Sequence, residues 1–203
     1  MMLGFDITWS APKSVSALYA QGSDKDRQAI DESIEAAVTA GMNYIEREGF
    51  HVRRNGSQEV ANNMVAASYR HNTNRALEPQ LHEHVVVANM ATNSLGETRA
   101  VDARGLFAHA TTAGYLAGAE MRTQLANRLG VVWATPYKGL ADIEGVDRDT
   151  IMAISSRRQD VLSLSEEMGF FTANARQKAA LATRPGKDHS VEASELQDRW
   201  REV

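Results

Sequence analysis

Apolar and polar residues alternate without a break near the start of the chain. The apolar positions are Phe5, Ile7 and Trp9, and the polar positions between them are Asp6, Thr8 and Ser10. Because neighbouring side chains of a strand leave opposite faces, this pattern predicts a half-buried strand over residues 4–10 with an unusually polar second face. Ser10 is placed to cap a short helix that contains Pro12 in its first turn and runs to about Ala20.

A longer helix is predicted from about Asp24 to Glu48, with Ser23 as its N-cap and Gly49 where a C-cap glycine is expected. Its apolar stripe consists of Ile30, Ile34, Ala37, Gly41, Tyr44 and Ile45. Residues 24–48 carry seven acids and three bases, which accounts for the whole net charge of −4. The rest of the chain is neutral overall, so the average charge does not exclude a local surface that binds nucleic acid.

Two strands are predicted over residues 61–70 and 82–90, joined by a polar loop that contains Pro79. The second strand is apolar on both faces over most of its length, which is typical of a central strand in a sheet. A turn at residues 93–96 and a short strand at residues 98–101 predict a hairpin with this second strand.

Helical patterns dominate the second half of the chain. A helix is predicted over about residues 104–129, ending at Gly130, and short strands follow at residues 131–135 and 143–146. The remainder is predicted to be mostly helical, with a mobile helical tail over about residues 185–203. This mixture predicts an α+β fold, and 203 residues suit one domain with its own core.

Composition excludes several kinds of site. The sequence has no cysteine, so disulfides, thiolate metal sites and cysteine nucleophiles are excluded, which fits a reducing cytoplasm. It has no run of about 18 apolar residues, so no membrane span is predicted. Its N-terminus lacks the basic start of a signal peptide. We therefore expect a cytoplasmic protein.

Three of the six histidines, His71, His82 and His84, lie within fourteen residues. His82 and His84 are two apart on a predicted strand, so both side chains leave the same face. If the chain returns antiparallel after His71, three neutral imidazoles point at one volume and leave metal positions open for a substrate. The alternative is ordinary surface or core histidines with hydrogen-bond partners. Asp6 is either an acceptor for a ligand histidine or a solvated strand residue.

Two long segments resemble one protein family. GFDITWSAPKSVSAL at residues 4–18 and HNTNRALEPQLHEHVVVAN at residues 71–89 are similar to the TrwC/TraI-type (MobF) conjugative relaxases of the HUH endonuclease class. The shorter segments SSRRQD at residues 155–160 and ALATRPGK at residues 180–187 are also similar to that family. The intervals between the three histidines match the family's metal triad. Together, the four segments spread the resemblance over most of the chain.

The resemblance implies a palm-like antiparallel sheet of about five strands flanked by helices. It implies that His71, His82 and His84 bind a divalent ion, Mg²⁺ or Mn²⁺, and that Asp6 contacts a ligand histidine and helps to activate the nucleophile. In the family a tyrosine attacks a phosphate of single-stranded DNA at a transfer origin, and accessory transfer proteins take part. A cation held by neutral ligands keeps its full charge and stabilises charge that develops on phosphate oxygens.

The sequence departs from the family pattern in two respects. Glu83 stands where the family commonly has a small polar residue, but alternation turns it to the face opposite the histidines. The family's tyrosines precede the GFDIT segment by several tens of residues, so we expect residues 1–203 to be an N-terminally truncated relaxase domain with its tyrosine segment separate or missing. The tyrosines present are Tyr19, Tyr44, Tyr69, Tyr115 and Tyr137. Tyr69 alternates onto the face of His71, but a packing role is favoured for it.

Candidate DNA contacts are basic residues near the predicted site or in a local pair. They are Lys13, Arg75, Arg157 and Arg158. A solvated surface charge is the alternative for each of them. Three functional hypotheses follow: the metal-binding portion of a conjugative relaxase, a non-catalytic relaxase remnant that binds metal or DNA, and an unrelated three-histidine metallohydrolase. The third accounts poorly for residues 4–18.

Overall fold

The computed structural model describes residues 2–167, 169, 172–182, 186, 191 and 193–201. Within these residues the strands are β1 (Gly4–Ser10), β2 (His51–Arg54), β3 (Ser57–Val60), β4 (Ala66–Thr73), β5 (Pro79–Ala88), β6 (Ala91–Thr92) and β7 (Thr98–Arg99). The helices are α1 (Lys13–Gln21), α2 (Asp24–Tyr44), α3 (Ala103–Leu129), α4 (Arg148–Ala153), α5 (Ser156–Glu167), α6 (Ala173–Ala182) and α7 (Ala193–Arg201). A π-helical segment, Ile45–Gly49, continues α2.

The main sheet contains three antiparallel strands in the order β1-β5-β4. β5 is central, as its apolar run predicts, and Leu81, Val85 and Val87 are buried in it. The predicted α+β fold with an antiparallel sheet flanked by helices is confirmed. In the described residues the main sheet has three strands rather than about five, because the other four strands pair as two separate hairpins.

The predicted strand over residues 61–70 is wrong in its bounds. Residues 57–60 form β3, which makes a hairpin with β2, and β4 begins only at Ala66. Between these strands Asn63 has a φ of 61°, and Asn62 exchanges backbone hydrogen bonds of 2.9 and 3.0 Å with Thr92. These contacts bend the chain away from the line of β4. At its other end β4 continues to Thr73, beyond the predicted limit.

Two further strand predictions are wrong. Residues 98–99 pair with β6 in a separate hairpin and not with β5. Asn93 closes that hairpin, because its buried side-chain oxygen accepts backbone N–H hydrogen bonds of 3.0 and 2.9 Å from within the turn. The strands predicted at residues 131–135 and 143–146 are reduced to an isolated bridge between Trp133 and Ile143.

Helix ends depend on local hydrogen bonds. Ser23 caps α2 as predicted and forms a reciprocal capping box with Asp26. Gly130 ends α3 as predicted, in a left-handed conformation with a φ of 67°. Ser10 does not cap α1, because it still belongs to β1 and Pro12 occupies the N-cap position.

Gly49 is not a left-handed helix cap. It ends the π-helical segment and lies against the first turn of α3, since a Cβ at this position would be 3.3 Å from the Gly105 carbonyl oxygen. A Cβ on Gly105, in that turn, would collide with the Gly49 carbonyl oxygen. The two glycines therefore allow a close backbone approach between these helices.

The core lies on one face of the main sheet, under α1, α2 and α3. Trp9 of β1 packs on the α2 stripe, of which Ile30, Ile34 and Ala37 are buried. The predicted C-terminal helix is present as α7, and Trp200 joins the core from it. The mobility of that tail stays a prediction. No helix in the described part of the chain is long and apolar enough to cross a membrane.

Candidate metal centre

The register of β4 and β5 brings the three histidines together on the face of the sheet away from the core. His71 pairs directly with His82, and His84 lies two residues farther along β5. The ring centroids are 5.1, 5.2 and 5.2 Å apart. One nitrogen from each ring lies within 4.8 Å of the others. The sequence predicted that His71 ends the strand before His82, and in the structure β4 continues two residues beyond it to Thr73.

Hydrogen bonds orient two of the rings. Nδ1 of His84 lies 2.9 Å from both carboxylate oxygens of Asp6 and 3.2 Å from Oγ1 of Thr8. Nδ1 of His82 lies 3.0 Å from the backbone carbonyl of Gln80. When Nδ1–H donates to these acceptors, the neutral ring presents the lone pair of Nε2. Partners of this kind fix the tautomer and orientation of metal-ligating histidines.

The donor set suits a divalent ion. With metal–nitrogen bonds of about 2.1 Å at tetrahedral or octahedral angles, the ligand nitrogens would be roughly 3.0–3.4 Å apart. The histidine nitrogens already lie within 4.8 Å of one another, so small side-chain rotations would bring them to these distances. His82 and His84 are half-buried and His71 is exposed. Ligand positions would therefore remain open toward solvent. In the described residues no acidic side chain belongs to this cluster.

A cleft of about 770 Å³ adjoins the histidines. Its walls include Tyr19 of α1, Asn72 of β4, Arg75 of the β4–β5 loop, Arg157 of α5 and Trp200 of α7. The cleft thus joins the end of the sheet to the C-terminal helices. Its volume lies within the range of small-molecule binding pockets, and it is open toward the exposed His71 ring.

The loop between β4 and β5 forms part of this cleft and is held by side-chain hydrogen bonds. Oδ1 of Asn74 accepts from the backbone N–H groups of Ala76 and Glu78 at 2.8 and 3.1 Å. The Glu78 carboxylate accepts from Nδ2 of Asn74 at 2.6 Å and from the backbone N–H of Ser156 at 2.7 Å. Burial alone would raise the pKa of Glu78, but these hydrogen bonds and Lys13 outweigh it and lower the pKa.

Helix α7 is attached beside the cleft. Nε1 of Trp200 donates to the carbonyl of Leu77 in the β4–β5 loop at 2.8 Å. Nη1 of Arg27, on α2, donates to Oε1 of Gln197 at 3.0 Å, and Gln21 donates to the Trp200 carbonyl at 2.8 Å. These bonds connect α7 to α1, to α2 and to the loop between β4 and β5.

The four predicted DNA-contacting bases occupy different places. Arg75 and Arg157 line the cleft, and Nη2 of Arg157 also donates to the Ala180 carbonyl. Nζ of Lys13 donates to the Pro79 carbonyl at 2.7 Å, and burial lowers the pKa of this lysine. Arg158 is exposed and does not line the cleft. None of these positions by itself tests contact with DNA.

The tyrosines differ in their access to the histidines. Tyr69 pairs with His84 across the strands and is 55% exposed. Tyr19 lines the cleft but is buried, and Nδ2 of Asn72 donates to its hydroxyl at 3.2 Å. Burial raises the pKa of Tyr19, and the negative charge of Asp31 raises it further. The Tyr44 hydroxyl is hydrogen-bonded to His109 at 2.9 Å, away from the cleft.

Sequence reasoning missed several side chains of this region. Thr8 could have been found, because alternation places it on the face of Asp6. Tyr19, Asn72 and Trp200 carried no such signal, since they meet only through the packing of α1, β4 and α7. Glu83 does point away from the histidines, as alternation predicts, and it is buried.

Comparison with known proteins gives similarities along the whole chain. The family model for TrwC relaxase matches residues 1–203. The multifunctional conjugation protein TraI of Escherichia coli is 32% identical over 198 residues, and that of strain K12 is 31% identical over 199 residues. Each alignment covers 92% of this chain, which spans only 11% of the length of those relatives.

Solved structures of the conjugative relaxase TrwC are also similar. A metal-free complex with oriT DNA has a TM-score of 0.89 and 27% identity, covering 98% of this chain and 72% of that chain. A copper-bound complex with oriT DNA has a TM-score of 0.87 and 28% identity, covering 98% and 69%. A complex with a 27-mer DNA that comprises the recognition hairpin and the cleavage site has a TM-score of 0.84 and 28% identity, covering 98% and 72%.

Proposed function

Because the chain belongs to the TrwC relaxase family, we propose that it is the metal-binding part of a conjugative relaxase that nicks single-stranded origin DNA by transesterification to a tyrosine. The observation that carries this proposal is the histidine cluster, whose ligand nitrogens lie within 4.8 Å of one another beside an open cleft. Family membership also removes the alternative of an unrelated metallohydrolase.

A bound divalent cation would polarise the scissile phosphate and stabilise the charge that develops on its oxygens. His71, His82 and His84 would hold it, and the Asp6 carboxylate would keep His84 in the required tautomer. Of the two ions that the family implies, we favour Mn²⁺ over Mg²⁺. Imidazole nitrogens suit transition-series ions, whereas Mg²⁺ prefers oxygen ligands.

The cleft is the proposed path of the DNA strand next to the scissile phosphate. Arg75 and Arg157 line it and would bind phosphates, since a guanidinium has five N–H donors in a fixed fork. Lys13 and Arg158 remain candidates for contacts farther from the histidines. Phosphate contacts of this kind position the strand but do not select its sequence.

The attacking tyrosine is proposed to lie outside the five tyrosines of this sequence. Tyr19 is buried with a raised pKa, so it is a poorer nucleophile at neutral pH than a free tyrosine. Tyr44 is engaged with His109 away from the cleft. Tyr69 is 55% exposed on the histidine face, and we assign it a packing role rather than that of the nucleophile.

The alternative is a non-catalytic relaxase remnant that binds metal or DNA and transfers no strand. The position of the tyrosines is the observation that favours it. The two proposals agree on the metal site and differ on whether the site works with a tyrosine supplied to it.

Metal binding is tested by titrating Mn²⁺ into the protein in a calorimeter. We expect His82→Ala to weaken the affinity at least about tenfold, because it removes one of three ligands. His109→Ala is the matched control, since that histidine contacts Tyr44 outside the cluster. Unchanged affinity in His82→Ala would remove the assignment of the triad.

Strand transfer is tested by incubating the chain with Mn²⁺ and single-stranded oligonucleotides that contain a transfer origin. We expect no covalent adduct from this chain alone. An adduct would contradict both the remnant proposal and the placement of the nucleophile elsewhere, and Tyr69→Phe would show whether that tyrosine forms it. Cleavage that appears only when a tyrosine-bearing relaxase segment is added would contradict the remnant proposal alone.

A further inference from the structure

A charged cluster lies directly behind the histidines, on the core face of the main sheet. Arg70 of β4 donates to Oε2 of Glu83 on β5 from Nε at 3.0 Å and from Nη2 at 2.8 Å. The hydroxyl of Ser68 donates to the other oxygen of Glu83. Glu83 is only 6% exposed, so its charge depends on these partners.

The same arginine reaches a helix. Nη1 of Arg70 donates to the backbone carbonyl of Asp31 on α2 at 3.1 Å and to its Oδ1 at 3.3 Å. One guanidinium therefore joins the edge strand β4, the central strand β5 and the helix that covers them. We call Arg70, Glu83 and Asp31 the arginine clamp.

The clamp lies between the strand pairs that carry the ligands. Arg70 pairs with Glu83 in the sheet, and the pairs on either side are His71 with His82 and Tyr69 with His84. β4 is an edge strand, and its register becomes irregular between His71 and Thr73. His71 is the only one of the three histidines that β4 supplies. Its distance from the other two rings therefore depends on how firmly β4 is held at Arg70.

We propose that the arginine clamp positions His71 for metal binding by fixing β4 against β5 and α2 at the level of the three histidines. This inference rests on the proposed metal site. The clamp residues act from the opposite face and do not touch the ion. Partners that are hydrogen-bonded directly to a metal ligand contribute about 10- to 100-fold to affinity, and we expect a support that acts through the strand to lie at the lower end of that range.

A purely structural role would have a different signature. Breaking a buried ion pair destabilises the whole fold, which lowers the fraction of folded protein but leaves the site in the folded molecules unchanged. Asp102 provides the matched control. It is a buried carboxylate with ion pairs to Arg53 and Arg104, and it caps α3 away from the histidines.

The experiment measures Mn²⁺ affinity by calorimetry and the electron paramagnetic resonance spectrum with Cu²⁺ as probe, under conditions where each variant is folded. His71→Ala provides the reference spectrum for two-histidine coordination. We expect Glu83→Gln to weaken Mn²⁺ binding about tenfold and to shift the Cu²⁺ spectrum toward that reference. Asp102→Asn should lower the urea midpoint and leave both metal measurements at their original values.

If Glu83→Gln does not fold, Arg70→Lys provides the test, because it keeps the charge but loses the forked geometry. We expect a smaller change in the same direction. A folded Glu83→Gln or Arg70→Lys protein with the original affinity and spectrum would overturn the positioning role while leaving the metal site in place. Failure of the unaltered chain to bind either ion would overturn the proposed metal site and this inference with it.

Discussion

Gly41 provides a test of how the sheet is fitted to α2, because its expected effect has the opposite sign to that of an ordinary helical glycine. Replacing glycine by alanine inside a helix normally stabilises it by about 0.5–1 kcal/mol. At Gly41 a Cβ would lie under 3.0 Å from two carbons of the Trp9 ring. Trp9 is only 8% exposed and cannot move into solvent without opening the core.

The size of the effect follows from these opposing contributions. Overpacking a well-filled core costs typically about 1–3 kcal/mol, and a contact this close belongs in the upper part of that range. After the gain in helix propensity is subtracted, Gly41→Ala should destabilise the protein by about 1–2 kcal/mol. Gly114 is the matched control, since it lies inside α3 and a Cβ there would meet nothing within 4 Å. Gly114→Ala should stabilise the protein by about 0.5–1 kcal/mol.

Urea unfolding followed by circular dichroism measures both free energies. A smaller ring should relieve the collision, so in a Trp9→Phe background Gly41→Ala should lose most of its cost. A Gly41→Ala protein that is as stable as the original chain would refute the reasoning. Equal costs of Gly41→Ala with and without Trp9→Phe would show that the ring is not the obstacle.

Three other predictions concern the site and its surroundings. Asp6→Ala should weaken Mn²⁺ binding by about tenfold, because it removes the hydrogen-bond partner of His84; the effect should be at the lower end for such partners since Asp6 is 53% exposed. A calorimetric titration that shows no loss of affinity would contradict this role of Asp6. The hydrogen bonds from Arg104 lower the pKa of Asp102 to about 2 in the folded protein. The ionised carboxylate therefore stabilises the fold at a pH above the pKa of Asp102 in the unfolded chain, and this stabilisation is lost as the pH falls toward the folded-state pKa. The difference in unfolding free energy between the original chain and Asp102→Asn should therefore shrink as the pH falls from about 5 to about 2, and a difference independent of pH would contradict this. β1 pairs only with β5 in the described residues, so its open edge should make the chain self-associate, and a monomer by light scattering at high concentration would count against that.

Local patterns predicted the parts of the site that depend on one strand at a time. Alternation placed Asp6 and Thr8 on one face of β1, and it placed His82 and His84 together on one face of β5. These predictions need only the period of a strand, which every strand shares. The central position of β5 followed in the same way from apolar residues on both of its faces.

Predictions that needed the ends of elements were less accurate. The pair Asn62-Asn63 is a turn signal, because asparagine tolerates the left-handed conformation that Asn63 adopts, but the prediction of one strand over residues 61–70 did not use it. The bend comes from a long-range pairing of Asn62 with Thr92, which depends on a hairpin formed elsewhere. β6 and β7 were misplaced for a similar reason, because the buried Asn93 side chain holds a separate turn.

Glu83 shows where local reasoning ends. Alternation correctly turned its side chain away from the histidines, but a buried carboxylate needs a partner and the pattern did not name one. The partner is Arg70, which the antiparallel pairing of β4 with β5 sets directly opposite Glu83. β4 also continues to Thr73, beyond the predicted limit at residue 70, so His71 lies inside the strand and opposite His82. The pairing of β4 with β5 thus determines both the ligand geometry and its support, so a variant that disturbs the pairing of Arg70 with Glu83 should disturb metal binding on the other face.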